Sequence, residues 1–462
     1  MENKILILLG AFIFCMTLGL NDAMAAAATN VECKNPCINS YEIEDGQVVA
    51  ADIANNAVTN AKIADGAVTN TKILDGQVTA PKIADGAVTD AKITGPISTS
   101  KLNVGTTPGT VAAGDHNHDS LYQKKYANVI VVAKAGGDYT DPVTAMNNLS
   151  AWCGTPSATN PCLLKIMPGV YNIGANSLQM QSYVDIEGSG ENTTKISGSI
   201  SSPYFPPTQG VITASAPTSN AELRFLTVEN IDSWGGVNVA IYNNAVALKI
   251  TNVTATTALY GSSNYAVYNY TSSTTMTNVT ATASNGSSNR AVYNRSSSTI
   301  MTNVTATASV SSVSGGSSNY GVENVASSSM TMANVTATAS GPSGSNYGIN
   351  NNFDSSLIMT NSTVTAWGGS VYNIGIYNIT NSSLTIVNST VTASDGVQSY
   401  SLTTKIDHSV IIGTRYTITT GYTGSVIYVG NTRLEGGPVL GTFITCAGVY
   451  DENYVFYANT CP

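Results

Sequence analysis

Between Val237 and Tyr400 two short motifs alternate six times, and the spacing of their copies restricts the fold more than any other feature of this chain. The first, [AG]-[VI]-x-N, ends at Asn243, Asn269, Asn294, Asn324, Asn351 and Asn378. The second, N-V-T-A-T or its variant N-S-T-V-T, begins at Asn252, Asn278, Asn303, Asn334, Asn361 and Asn388. Copies of the second motif lie 25 to 31 residues apart, yet the two asparagines within a unit are always nine or ten apart. Rigid strands joined by loops of free length give this combination, and the slack sits in Gly/Ser-rich stretches such as SVSSVSGGSSN before Tyr320. A period in the twenties is that of one solenoid coil.

Comparison of the units separates inside from outside. In the first motif the second position is always Val or Ile and is assigned to the core, and by alternation the closing asparagine also points inward, where side-chain amides can bond from coil to coil. The position between them carries Tyr242, Tyr268, Tyr293, Glu323, Asn350 and Tyr377. Glutamate is foreign to a core, so this stripe is expected to face solvent. In N-V-T-A-T, Val253 and Ala255 are expected inside, with Thr254 and Thr256 in an outward threonine ladder. The N-x-[ST] sequons follow from this ladder composition and are not read as glycosylation sites.

A different repeat occupies residues 42–98. Ile43, Ile53, Ile63, Ile73, Ile83 and Ile93 recur every ten residues, with Val48, Val58, Val68, Val78 and Val88 midway. A five-residue interval fits neither an amphipathic helix nor a flat strand. Asp45-Gly46, Asp65-Gly66, Asp75-Gly76 and Asp85-Gly86 predict one turn per unit. Such a unit cannot bury its own apolar side chains, which favours several chains wound on one axis, a fibrous homotrimeric stalk; a flexible linker is the alternative.

The joint at 99–126 contains GDHNHDSLY, Gly114 to Tyr122. This segment, beside the decapeptides, resembles phage tail-fibre proteins, in which an H-x-H pair precedes a change of fold along a trimeric shaft. On an extended chain His116 and His118 point the same way, and three chains would offer six imidazoles, a set suited to iron, zinc, nickel or copper. The resemblance implies iron, so a structural iron or zinc at a trimer axis is the metal expectation; a solvated polar turn is the plain one. From Val132, VAKAGGDYTD followed by KIMPGVY resembles the opening coils of pectinesterase-like proteins. What that implies is a right-handed single-stranded parallel β-helix of the pectin-lyase type, all-β, with a helical N-terminal cap, over 127–400, followed by C-terminal coils and a disulfide-closed cap at 401–462.

Residues 1–25 read as a secretory signal: Lys4, an apolar run from Ile5 to Leu20, and the cleavage pattern Ala23-Met24-Ala25. No later stretch predicts a membrane span, so an extracellular or cell-surface location is expected. After Cys15, six cysteines fall into close pairs, Cys33 with Cys37 in the segment 26–41, Cys153 with Cys162, and Cys446 with Cys461; proximity suggests this pairing, which sequence alone does not fix. Only 10% of residues are charged and the net charge is −9, which excludes the basic surface that nucleic acid requires.

Two function classes follow. Cleaving a polysaccharide needs closely placed acid and base groups, commonly two carboxylates, but from Val237 to Tyr400 the only acids are Glu323, Asp354 and Asp395. Upstream, Arg224, Glu229 and Asp232, with Gln209 nearby, are similar in type to what pectinesterases use, although the aspartate-bearing signature segments of that family are absent. A triad would need His408, which lies beside Asp407 in strand-like sequence. The second class, a non-catalytic adhesin or fibre binding a glycan or cell-surface receptor, uses the tyrosines: Tyr242, Tyr268, Tyr293 and Tyr377 at coil spacing, about 4.8 Å, can stack on successive sugars. The same rings can instead stack on one another. The expectation is therefore a secreted glycan-binding fibre with no catalytic cofactor; a polysaccharide-active enzyme or a purely structural surface protein is the alternative.

Overall fold

The computed structural model describes residues 46–79, 81, 83, 126–232, 235–258, 263–311, 317–342, 344–421 and 424–462, and the chain divides into two units, 1–116 and 117–462. The signal segment, Cys33, Cys37, His116 and His118 lie outside the described residues.

In the first unit the described decapeptides make two turns each where Asp-Gly predicts one. The expected turn is present: Ala57, Ala67 and Gln77 N–H groups donate to Ala54, Ala64 and Leu74 carbonyls at 2.9–3.1 Å, and Gly46, Gly66 and Gly76 take the positive φ it needs. The second is a single 3₁₀ turn, at Ala50–Asp52, Asn60–Lys62 and Asn70–Lys72. Lysine explains two of these, since Lys62 and Lys72 Nζ reach back to the Ala57 and Ala67 carbonyls at 2.7 Å. Two turns per ten residues produce the five-residue apolar beat. Those apolar side chains, from Val48 to Ile83, remain 40–55% exposed within the single chain.

The second unit is a right-handed single-stranded parallel β-helix. One coil illustrates it. Ser288–Arg295 lies on a first face, Ser298–Thr302 on a second and Thr305–Ser309 on a third; each pairs in parallel register with Ser318–Val325, Ser329–Ala333 and Thr336–Ser340 of the next coil. These are called the tyrosine face, the methionine face and the threonine face. Inside, Val267, Val292, Val322, Ile349 and Ile376 stack behind the first, Met276, Met301, Met332 and Met359 behind the second, and Ala255, Ala281, Ala306 and Ala337 behind the third, all fully buried. Small alanines on one wall lie opposite methionines on another, a pairing of small with adaptable side chains that suits a narrow core.

The inward asparagines form the expected ladder. Each amide donates to the carbonyl oxygen of the next coil: Asn243 to Asn269, then to Asn294, Asn324, Asn351 and Asn378, at 2.7–3.1 Å, ending on Ser399 Oγ. A second buried ladder runs the same way through Asn238, Asn264, Asn289, Asn319, Asn346 and Asn373. Its signal, S-N-[YR] five residues before the first motif's asparagine, was legible but unread. The N-V-T asparagines instead form the corner between the methionine and threonine faces. Asn252 through Asn388 take φ of 48–56°, and His408 and Asn431 continue the file at 47° and 46°. Asparagine tolerates this left-handed conformation better than most residues, so backbone shape fixes that anchor. His408 thus sits at a corner, its Nδ1 3.0 Å from Asp407.

The ends are closed. Asp141 caps the helix Pro142–Asn147 by accepting the Thr144 N–H at 2.7 Å, with proline in the first turn; Leu149–Trp152 follows, and Cys153–Cys162 ties it to the second strand. At the other end Val449–Tyr450 pairs antiparallel with Phe456–Tyr457, and Cys446 bonds Cys461. Among the described residues no helix is long and apolar enough to cross a membrane.

Candidate functional site

Outward residues of the tyrosine face form two neighbouring files. One contains Tyr242, Tyr268, Tyr293, Glu323, Asn350, Tyr377 and Gln398; the other contains Tyr265, Arg290, Tyr320, Tyr347, Ile374 and Asp395. The second file went unread because it varies more from coil to coil than the first.

The expectation of an exposed stripe fails over its N-terminal half. Tyr242, Tyr268 and Tyr293 point away from the main core, yet they are buried in a small aromatic cluster with Tyr265. Phe205 lies over it, 6.3–6.5 Å from Tyr265, Tyr268 and Tyr293. Tyr268 and Tyr293 rings sit 4.8 Å apart, so mutual stacking is what these rings do. Glu323 is buried too. Its charge is met one coil back: Arg290 forms an ion pair with it and lies over the rings of Tyr265, Tyr293 and Tyr320 at 4.8–5.5 Å.

Burial also raises the phenols. Desolvation, reinforced by Tyr270, lifts Tyr242 to about 12, and desolvation with Glu323 nearby lifts Tyr320 to about 12 despite Arg290. Tyr265, Tyr268 and Tyr293 move the same way. A raised folded-state value means stability is complete below the ordinary phenol value and is lost as pH rises toward the folded one. Thermal midpoints are therefore expected to hold to about pH 10 and to fall steeply between about 10 and 12; a flat profile across that interval would contradict the burial of these rings.

Over the C-terminal half the face opens. Tyr347, Tyr372, Tyr377, Tyr400 and Tyr416 line a groove of about 470 Å³ with Arg415, Gln398, Thr419 and Thr420. Ring centroids of Tyr347 and Tyr377 are 5.6 Å apart, and those of Tyr377 and Tyr400 are 6.3 Å apart and nearly perpendicular. Tyr372 is exposed, and Tyr347, Tyr377, Tyr400 and Tyr416 are half-buried. Arg415 is neutralised by Asp395, which also accepts from Gln398 Nε2 at 2.5 Å. The hydroxyls of Thr419 and Thr420 are buried beneath the groove and have no hydrogen-bond partner among the described residues. Only Tyr377 of the four expected ligand-binding tyrosines belongs to this groove.

The upstream polar residues are not gathered into one site. Arg224 is enclosed by Glu187, Glu222 and Asp185 at 2.6–3.3 Å, and its Nη2 donates to Tyr126 Oη at 2.7 Å. Tyr126 in turn donates to Asp185. Burial works against the charge on Glu222, but hydrogen bonds from Thr251 and Lys249 and the charges of Lys249 and Arg224 outweigh it and hold its carboxyl below the usual range. Glu187 is held low against burial by Lys165 and Arg224. Glu229 pairs with Lys195, and Asp232 accepts from Ser199. Backbone turning at Phe225, φ 56°, separates the Arg224 segment from the Glu229 segment of one continuous strand onto different faces. Among the described residues no group of three or more His, Cys, Asp or Glu is arranged to hold a metal ion.

No family model matches the chain, and no curated protein matches it. Among solved structures it is similar to a mannuronan C-5 epimerase A-module of Azotobacter vinelandii, at 14% identity and TM-score 0.42 over 67% of this chain and 96% of that one. It is also similar to the pectin methylesterase PemA of Erwinia chrysanthemi (12%, TM-score 0.30, 73% and 86% covered) and to ORF18 of Geobacillus virus E2 (11%, 0.36, 70% and 61%). These likenesses concern the course of the backbone alone.

Proposed function

We propose that this chain is an exported, non-catalytic glycan-binding fibre whose ligand lies in the open groove at Tyr347, Tyr372, Tyr377, Tyr400 and Tyr416. The observation that carries the reading is the groove itself: several tyrosine faces beside a neutralised arginine and Gln398. Sugars present flat C–H faces that stack on aromatic rings and hydroxyls that meet polar groups at the ring edges. The acids of the repeats speak against the enzyme alternative, because Glu323 and Asp395 are each bound to an arginine one coil away and lie on different coils, not as the close carboxylate pair that such cleavage commonly uses.

Screening of purified protein on a glycan array, followed by titration of the best ligand, tests this. Tyr377→Ala is expected to weaken binding by about 2 kcal/mol, the scale of a buried aromatic anchor. Absence of any glycan ligand, unchanged affinity in Tyr377→Ala, or cleavage of the bound glycan would each overturn the reading.

The fibre part of the proposal rests on the decapeptide unit, whose apolar side chains are half exposed at every fifth position. Covering them with like chains around one axis removes that surface from water. Light scattering on the mature protein is expected to give about three times the chain mass, as for a closed cyclic trimer; a monomer would refute the shared axis.

A further inference from the structure

We infer that the threonine face binds ice. Its outward side chains form two straight files, Thr254, Thr280, Thr305, Thr336, Thr363 and Thr390 beside Thr256, Thr282, Thr307, Thr338, Thr365 and Thr392. Every neighbouring rung pairs residue to residue with no shift of register. Strand geometry therefore sets the threonines on a rectangle of about 4.8 Å between coils and about 6.6 Å along each strand. β-Branching restricts χ1, so each threonine presents its methyl and hydroxyl in few orientations. The prism plane of hexagonal ice repeats its oxygens on a rectangle close to this one.

Chemistry on the face points to the same occupant. Thr254 Oγ1 donates to Glu191 at the first coil, while none of the other eleven hydroxyls has a hydrogen-bond partner among the described residues. All twelve positions are uncharged, so no ion imposes its own hydration shell on the array. Its side chains are exposed or half-buried throughout, and no ring stands within either file; Trp367 lies beyond them at the edge. Unbroken register and the lack of aromatic platforms distinguish this face from the tyrosine groove, and a lattice of water is the ligand that needs neither a cavity nor a charge. A partner surface of periodic hydroxyls and methyls can anchor such a lattice because each methyl occupies a gap in the water layer while each hydroxyl replaces one of its members.

The test uses the full chain in a nanolitre osmometer, with ice recrystallisation as a second readout. Wild-type protein is expected to hold ice facets still over a measurable freezing gap. Thr307→Lys combined with Thr338→Lys, in the centre of the array, should abolish the gap, whereas Thr331→Lys, on the methionine face, should keep it. Circular dichroism melts of the variants establish that each is folded, and the wild-type measurement does not depend on them. Ice growth unaffected by wild-type protein, or an unchanged gap in the double variant, overturns the inference. So does binding to crystalline cellulose that the double variant loses without any ice activity, since the face would then serve a polysaccharide. Tyr377→Ala should leave ice activity intact, so this inference and the glycan groove fail separately.

Discussion

Arg290→Met is expected to destabilise the β-helix by about 3–5 kcal/mol, the largest effect of any single exchange on the tyrosine face. The arginine and Glu323 are both largely buried, with side-chain exposures of 17% and 9%. Methionine fills much of the volume and keeps contact with Tyr265, Tyr293 and Tyr320, so the loss isolates the charge. Glu323 would then keep only the 2.9 Å hydrogen bond from Asn350 Nδ2. Adding Glu323→Gln should recover a large part of the loss, because the buried charge disappears with its partner. Denaturant midpoints of the single and double variants measure both effects. Equal stability of Arg290→Met and wild type would mean that water reaches the pair and that the aromatic cluster is open.

Asn294→Ala is expected to lower stability by about 2–4 kcal/mol, since buried hydrogen-bonding groups on both sides lose their partner. Asn269 loses its main acceptor, Asn324 its donor, and Thr299 the carbonyl it donates to at 2.5 Å. Asn303→Ala provides the contrast within the same coil. Asn303 is exposed, and water replaces its hydrogen bonds, so only its left-handed backbone is at stake; about 1 kcal/mol is expected, and Asn303→Gly should be close to neutral. If the two alanine variants unfold alike, the interior ladder contributes nothing beyond chain shape.

The division between what sequence revealed and what it hid has a physical basis. Coil spacing, the inward Val/Ile position, the interior asparagines and the Val253/Ala255 against Thr254/Thr256 alternation follow from local periodicity, and the structure agrees at each. What failed was any inference that needed a neighbour on another coil. Glu323 was taken for a solvent marker because its partner, Arg290, lies in the adjoining file 33 residues earlier. The burial of Tyr268 and Tyr293 is invisible in the repeats because Phe205, which lies over them, comes from a loop outside the repeats. Tyr347, Tyr400 and Tyr416 were missed for the complementary reason: they become a groove only where files from successive coils lie side by side. The corner asparagines gave a correct anchor for an incomplete reason, since their recurrence reflects a φ that side-chain patterns do not display.

The amide ladders have a sense as well as a length. Both buried ladders donate from each coil to the one after it, whereas the exposed corner ladder donates backward, from Asn278 to Asn252, Asn303 to Asn278 and Asn334 to Asn303. Aligned amides polarise one another, so the two interior rows add into a pair of parallel dipoles along the β-helix, and the surface row opposes them. At their starting ends Asn238 and Asn243 keep carbonyl oxygens without a partner among the described residues, while the row begun by Asn243 stops at the hydroxyl of Ser399, which is shared with Thr404. Every coil therefore presents N–H donors to the coil that follows it, and the following asparagine meets them with its oxygen. Each rung thus fixes which way the amide of the next one turns, so the sense of a row is set once and kept along its whole length.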